Sequence, residues 1–177
     1  MSLITLSSLA RLTRDDLASL LLQSSFTDSS GITTRTTTSN DQVRSSNHPK
    51  IAIIDVRDSD HVGGHIKSSI WVPSHNLEAR IPELLRTLRD KDKVVFHCAL
   101  SQQRGPAAAL TYARALEEMR RRDGQGSTYH GIKDEEISQP PKQEVCVLDG
   151  GFSLWQAKYG EDERLTEDYV KDIWDSW

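Results

Sequence analysis

Cysteine is scarce in this chain. Cys98 and Cys146 are the two thiols among 177 residues, too few for a disulfide scaffold or for a zinc site built on three or four closely spaced Cys and His ligands. Long apolar runs are also missing: no stretch of 18 apolar residues occurs, so nothing in the sequence spans a bilayer. Asp15 and Asp16 follow the first apolar positions closely, unlike the start of a secretory signal. The expectation is a soluble protein with no membrane partner, cytoplasmic and/or nuclear. There is no cationic excess either. A net charge of −4 leaves no clustered Lys and Arg for counterion release, which argues against nucleic acid as a partner.

Histidine occurs at positions 48, 61, 65, 75, 97 and 130. His61 and His65 have helical i,i+4 spacing, but Gly63 and Gly64 lie between them and no acidic residue completes a metalloprotease pattern, so a turn is expected there and no metal.

The length fits one domain over 1–177, monomeric, with a core over about 12–23 and 50–160. "LTRDDLASLLLQ" (12–23) reads as a helix: Thr13 can cap it, Asp16 follows three residues later, and Leu17, Leu20 and Leu21 share a face. Residues 24–49 are almost entirely polar and are expected to be a flexible insertion. "KIAIIDV" (50–56), "SSIWVP" (68–73) and "KVVFHC" (93–98) are continuous apolar runs of the kind buried on both faces of a parallel sheet. Between the last two lies the helical "NLEARIPELLRTLRD", which Pro82 should kink or split.

"PAAALTYARALEEMR" (106–120) is a helix with Pro in its first turn, and "EVCVLDGGFSLWQAKYG" (144–160) is strand, turn and helix again. Strand alternating with helix gives an α/β fold, a mostly parallel central sheet flanked by helices. Residues 121–143 are expected to be a flexible surface insertion, with Arg120, Arg121 and Arg122 as a solvated helix end favoured by the helix dipole. A C-terminal helix is expected over about 161–177, its stripe of Leu165, Tyr169, Ile173 and Trp177 packing back on the domain.

In "VVFHCALSQQRGPAAAL" (94–110) a strand empties into Cys98, and Arg104 and Gly105 then open a helix. Ligands of an open parallel sheet bind beyond the carboxyl ends of its strands, where Cys98 falls. If the backbone N–H groups of Ala99, Leu100, Ser101, Gln102, Gln103, Arg104 and Gly105 turn inward, the loop and the helix start form an anion cradle. The same field favours a thiolate, which makes Cys98 a candidate nucleophile. Arg104 supplies a planar fork suited to two oxygens of a phosphate-like group.

The span from about 50 to 158 resembles a rhodanese-superfamily domain. "IDVRDSDHVGGHIKSSIWVP" is similar to its first signature and "VLDGGFSLW" to its second. The active loop "HCALSQQRGP" resembles the longer form found in M-phase inducer phosphatases and yeast-type arsenate reductases, a ring that suits an oxyanion better than a single sulfane sulfur.

The resemblance implies Cys98 as nucleophile, Arg104 as oxyanion clamp, Asp55 and Arg57 as a structural ion pair, and His97 as a group that orients the loop. It implies a cysteine-dependent phosphatase of the protein tyrosine or dual-specificity type, acting through a phosphocysteine on a phosphoprotein or small oxyanion. The alternative is an arsenate reductase that uses the same Cys/Arg loop with glutathione and glutaredoxin as external reductant and no other cofactor. Thiosulfate sulfurtransferase and a non-catalytic rhodanese binding module are the further alternatives.

Two departures stand out. The acidic residue that animal phosphatases of this family carry in the loop is absent, which leaves the general acid unassigned. Val56 stands where they place a second cysteine. Cys146, inside an expected strand, reads as a small core residue, and "DGG" at 149–151 as a tight turn.

Overall fold

The computed structural model describes residues 4–25, 49–125 and 143–175. A short edge strand, β1 (Ala10–Leu12), leads into α1 (Arg14–Ser25). Thr13 caps that helix as its sequence indicates: the Asp16 amide donates to Thr13 Oγ1 at 3.1 Å, and the hydroxyl donates back to Asp16 Oδ2 at 2.7 Å. The chain continues through β2 (Ile51–Asp55), β3 (His65–Ile66), β4 (Ile70–Trp71), α2 (Leu77–Thr87), β5 (Lys93–His97), α3 (Arg104–Gln125), β6 (Glu144–Leu148), α4 (Gly151–Tyr159), β7 (Thr166–Glu167) and α5 (Lys171–Trp174).

The central sheet has five strands in the order β1-β6-β5-β2-β4, and every neighbouring pair is parallel. Its apolar runs are buried on both sides because helices cover both faces. Ile54, Val94, Phe96 and Val147 point to the layer of α2 and α3, where they meet Ile81, Leu84, Ala109 and Tyr112. Their neighbours in sequence, Ile53, Val95, Cys146 and Leu148, point to the layer of α1 and α4 and meet Leu17, Phe152 and Trp155. Each fully buried Ile, Leu or Phe contributes about 1.5–3 kcal/mol relative to exposure. The register aligns Asp55 with His97, so the carboxyl ends of β2 and β5 open side by side.

Four expectations are corrected. Pro82 does not split its helix: α2 runs unbroken through it. Both Pro82 and Glu78, whose carbonyl loses its amide partner, face solvent. β4 is shorter than 68–73, an edge strand with Ile70 and Trp71 exposed. Residues 121–125 continue α3 rather than starting a loop, held by ion pairs of Arg121 with Glu117 and Arg122 with Glu118.

The largest correction is at the C-terminus, where the described residues 161–175 do not form one continuous helix. Thr166 and Glu167 instead pair antiparallel with Ile66 and His65, the Lys67 amide takes the Leu165 carbonyl at 2.9 Å, and Asp168 turns left-handed at φ 54°. The long-range strand pairing outcompetes the local helical pattern, and α5 is a single turn. Leu165 does pack into the core, while Trp174 lies edge-on against Phe152 at 5.4 Å. Residues 26–48 and 126–142, with His48 and His130, and Trp177 lie outside the described residues.

Candidate active site

The site grows out of the end of β5. His97 is its last residue, Cys98 follows at 3 % exposure, and six residues on Arg104 begins α3. The chain reverses within that span because Ser101 adopts φ 52°, a left-handed conformation that costs a non-glycine residue roughly 1–2 kcal/mol. The reversal brings the Ser101 amide over the thiol, where it donates to Cys98 Sγ at 3.2 Å. No described group accepts from the amides of Ala99, Leu100, Gln102 or Gln103. Cys98, Ala99, Leu100, Gln102, Gln103 and Arg104 line an open cavity of about 330 Å³.

Two glycines hold the loop from below. A Cβ on Gly105 would sit 3.2 Å from Ser101 Oγ and 3.3 Å from the Cys98 nitrogen, so the start of α3 packs directly against the thiol's backbone. Gly151 has φ +57°, and a Cβ there would meet the Cys98 and Ala99 carbonyls at 2.5 Å. That close approach lets the first amides of α4 reach the loop: Phe152 donates to Cys98 O and Ser153 to Ala99 O, both at 2.9 Å. The "DGG" segment is a tight turn as read from the sequence, and it also presses a helix N-terminus under the loop.

Asp55 and Arg57 form the expected ion pair, wholly buried. The Arg57 Nη2 lies 2.6 Å from Asp55 Oδ2 and donates to Gly64 O at 2.9 Å, while the guanidinium rests 4.2 Å over the Phe152 ring. Burial works to raise the Asp55 pKa, but His97 and Arg57 outweigh it and hold the carboxyl below its usual range. Next to this pair His97 is fully buried, with Nδ1 3.3 Å from Cys98 O and Nε2 3.7 Å from Asp55 Oδ2. Burial pushes its pKa below the ordinary histidine value despite the attraction of Asp55. The ring is therefore neutral at pH 7 and braces the residue that carries the thiol.

The guanidinium of Arg104 is held by two carboxylates that sequence reasoning did not assign to the site. Its Nη1 donates to Asp60 Oδ1 at 2.7 Å and to Asp58 Oδ2 at 3.1 Å, and its Nη2 donates to Asp60 Oδ2 at 2.5 Å. Asp58 also accepts from the Ser74 amide at 2.8 Å, from Ser74 Oγ at 2.7 Å and from His75 Nδ1 at 3.0 Å. Although burial would raise it, the Asp58 pKa is driven well below the carboxylate range by Ser74, Arg104 and His75; the bond from Arg104 lowers Asp60 as well. Both are ionised at neutral pH. A signal for them existed: they sit just beyond the carboxyl end of β2, and in a parallel sheet that crevice is shared with the loop after β5.

Of the remaining residues, His61 borders this centre, with Nε2 3.5 Å from Asp55 Oδ2, while His65 and Cys146 lie apart from it. His61 and His65 stack with ring centroids 5.8 Å apart and face different carboxylates, His61 near Asp55 and His65 near Glu167. Cys146 is a core residue on the opposite sheet face, its thiol pushed up to about 11 by burial.

A thiol seated at the carboxyl end of a central parallel strand, in a tight loop that ends on the first arginine of a helix, defines a cysteine-loop α/β domain. The Rhodanese-like domain family model matches residues 39–158, and the chain belongs to that family. It is 38% identical over 133 residues to the CDC25-like phosphatase YCH1 of Saccharomyces cerevisiae, a match covering 69% of this chain and 76% of that one. It is 37% identical over 110 residues to arsenate reductase 2.1 of Oryza sativa, covering 62% of this chain and 58% of the relative's length. Among solved structures it superposes on a yeast protein tyrosine phosphatase of the Rhodanese family with a TM-score of 0.62 at 28% identity, covering 97% of this chain and 99% of the other.

Proposed function

We propose that the protein is a cysteine-dependent phosphatase of the protein tyrosine or dual-specificity type, acting on a phosphoprotein or small phosphate ester. The observation that carries this reading is the Ser101 amide pointed at Cys98 Sγ in a loop whose other amides have no described acceptor and which ends on Arg104. Such a loop stabilises a thiolate and the three outer oxygens of a phosphoryl group with the same donors.

The thiolate attacks phosphorus, the P–O ester bond breaks, and its electron pair leaves on the alcohol oxygen, which takes up a proton. Water then attacks the phosphocysteine, releasing phosphate and restoring the thiolate. Asp58 and Asp60 are ionised and so cannot supply that first proton directly at neutral pH. The enzyme should therefore favour phenolic leaving groups, which depart without full protonation. His97 braces the loop, the buried Asp55–Arg57 pair holds the adjoining strand end, and no metal takes part.

Arsenate reduction is the second reading, favoured by the identity to the rice arsenate reductase and by the same loop. Cys98 would form the thiol–arsenate ester with loss of water. Two external thiols of the glutathione class would then supply the two electrons that reduce As(V) to As(III): the S–As bond breaks, arsenite leaves, the Cys98 thiol is restored, and the two external thiols leave as their disulfide. A three-substrate assay on the purified full chain tests both: an aryl phosphate, arsenate with glutathione and glutaredoxin, and thiosulfate with cyanide. Turnover of the aryl phosphate supports the first reading and turnover of arsenate the second; activity with thiosulfate alone would replace both.

A further inference from the structure

The two carboxylates on Arg104 are not equivalent. Asp58 is fixed by Ser74 and His75 and keeps those donors whether or not it touches Arg104. Asp60, apart from Arg104, accepts among the described residues only from the Asp58 amide, at 2.9 Å. Yet Asp60 takes the better seat: its two oxygens face the two terminal nitrogens of the guanidinium at 2.7 and 2.5 Å. Two parallel N–H···O bonds to paired oxygens are also the way an arginine grips phosphate.

We propose that Asp60 is an intramolecular occupant of the Arg104 fork and that an oxyanion engages Arg104 by exchange with the Asp60 carboxylate. The inference rests on the reading of Arg104 as the oxyanion clamp and names the residue that sets how tightly that clamp holds an anion.

Charge points the same way. Arg104 is the one cation among the residues lining the cavity, and two ionised carboxylates more than offset it. With Asp60 in place, three of the five guanidinium N–H donors are used. A tetrahedral anion arriving in the loop meets a fork whose two terminal nitrogens are already engaged and an edge that is net negative. Position makes exchange feasible: the Arg104 and Asp60 side chains are 34% and 28% exposed, so the pair stands at a wet rim where water can solvate the displaced carboxylate. The buried Asp55–Arg57 pair has no such freedom, with both side chains at 0% exposure. Asp60 thus depresses affinity for small free anions, while a substrate with further contacts can still displace it.

The test is calorimetric titration of inorganic phosphate into the full chain, as wild type, Asp60→Asn, Arg104→Gln and the double variant. Phosphate should bind Asp60→Asn about tenfold more tightly than wild type, a change of about 1.4 kcal/mol. That gain should vanish when Arg104 is already glutamine. A gain of equal size in the Arg104→Gln background would mean that Asp60 acts only as a nearby charge, and would overturn the exchange. Unchanged or weaker binding by Asp60→Asn would overturn it too, leaving the clamp reading intact. If Arg104→Gln binds phosphate as well as wild type does, the clamp reading itself falls and the exchange with it. Should Asp60→Asn fail to give a folded chain by circular dichroism, Asp60→Ser removes the same carboxylate and carries the same expectations.

Discussion

Cys98, one residue past the end of β5, and Cys146, within the neighbouring β6, lie on opposite faces of the sheet. Cys146 pairs in register with Val95 and belongs to the cluster of α1 and α4, whereas Cys98 belongs with Val94 and Phe96 to the cluster of α2 and α3. A disulfide needs Cβ atoms about 4 Å apart and pointing at each other, which a sheet between them forbids. Peroxide treatment of the folded protein should therefore give over-oxidised Cys98, or a mixed disulfide when glutathione is present, and no internal bridge. Intact mass spectrometry reads the difference. A rapid mass loss corresponding to one disulfide would show that the fold opens far enough for Cys146 to act as a resolving thiol.

Stability should decline in mild acid because of His97. The unfolded chain takes up a proton near the ordinary histidine value of 6.5, which the folded site, with its lowered pKa, does not bind. The favourable difference is intact above that value and is lost below it at about 1.4 kcal/mol per pH unit, until the folded pKa is reached. Asp55 acts at lower pH: its folded pKa is depressed, so its contribution holds above about 3.8 and disappears as pH falls through the folded value. Urea unfolding between about pH 6.5 and 5 should show the first slope, reduced in His97→Asn, with His61, also lowered by burial, supplying a remainder. An unaltered slope in the variant would remove His97 from this role.

Gly151→Ala should cost more than its one methyl suggests. The residue is left-handed, and the new Cβ would press on two backbone carbonyls of the active loop, atoms that cannot move aside without disturbing the thiol. A loss of about 2 kcal/mol or more is expected from the conformation and the contact together. Catalytic rate should fall as well, because the amides of α4 no longer reach the Cys98 and Ala99 carbonyls. Denaturant midpoints and aryl phosphate turnover check the two parts. Full activity at full stability would mean that the loop does not depend on this buttress.

Arg104→Lys should lower kcat/KM for an aryl phosphate roughly 100-fold, since an ammonium cannot offer two parallel donors to paired oxygens. Steady-state kinetics on the folded variant measures this. A change of less than about threefold would show that charge alone suffices at this position.

The parallel sheet is legible in the sequence because β2, β5 and β6 are short β-branched runs with no period, the mark of strands buried on both faces. Cys98 and Arg104 are legible for a related reason: a thiol at such a strand's end, followed by a helix that opens on Arg-Gly-Pro, leaves few other arrangements. The edge strand β1 escapes because "ARL" carries no periodic signal, and β7 escapes because Leu165, Tyr169, Ile173 and Trp177 imitate a helical stripe that pairing with His65 and Ile66 overrides. Asp58 and Asp60 escape because acidic residues after a strand are ordinary surface residues in most chains. What sets them apart is proximity to Arg104, 46 and 44 residues further along, which the fold alone supplies.

The central claim is that Cys98 forms the covalent bond while the loop binds the oxyanion. It is tested most directly by comparing Cys98→Ser with wild type for aryl phosphate turnover and, in parallel, for inorganic phosphate binding. The serine variant should lose turnover by at least about 1000-fold and retain phosphate affinity within a few-fold, because the donors are backbone amides and Arg104. Turnover near the wild-type rate would contradict the covalent mechanism.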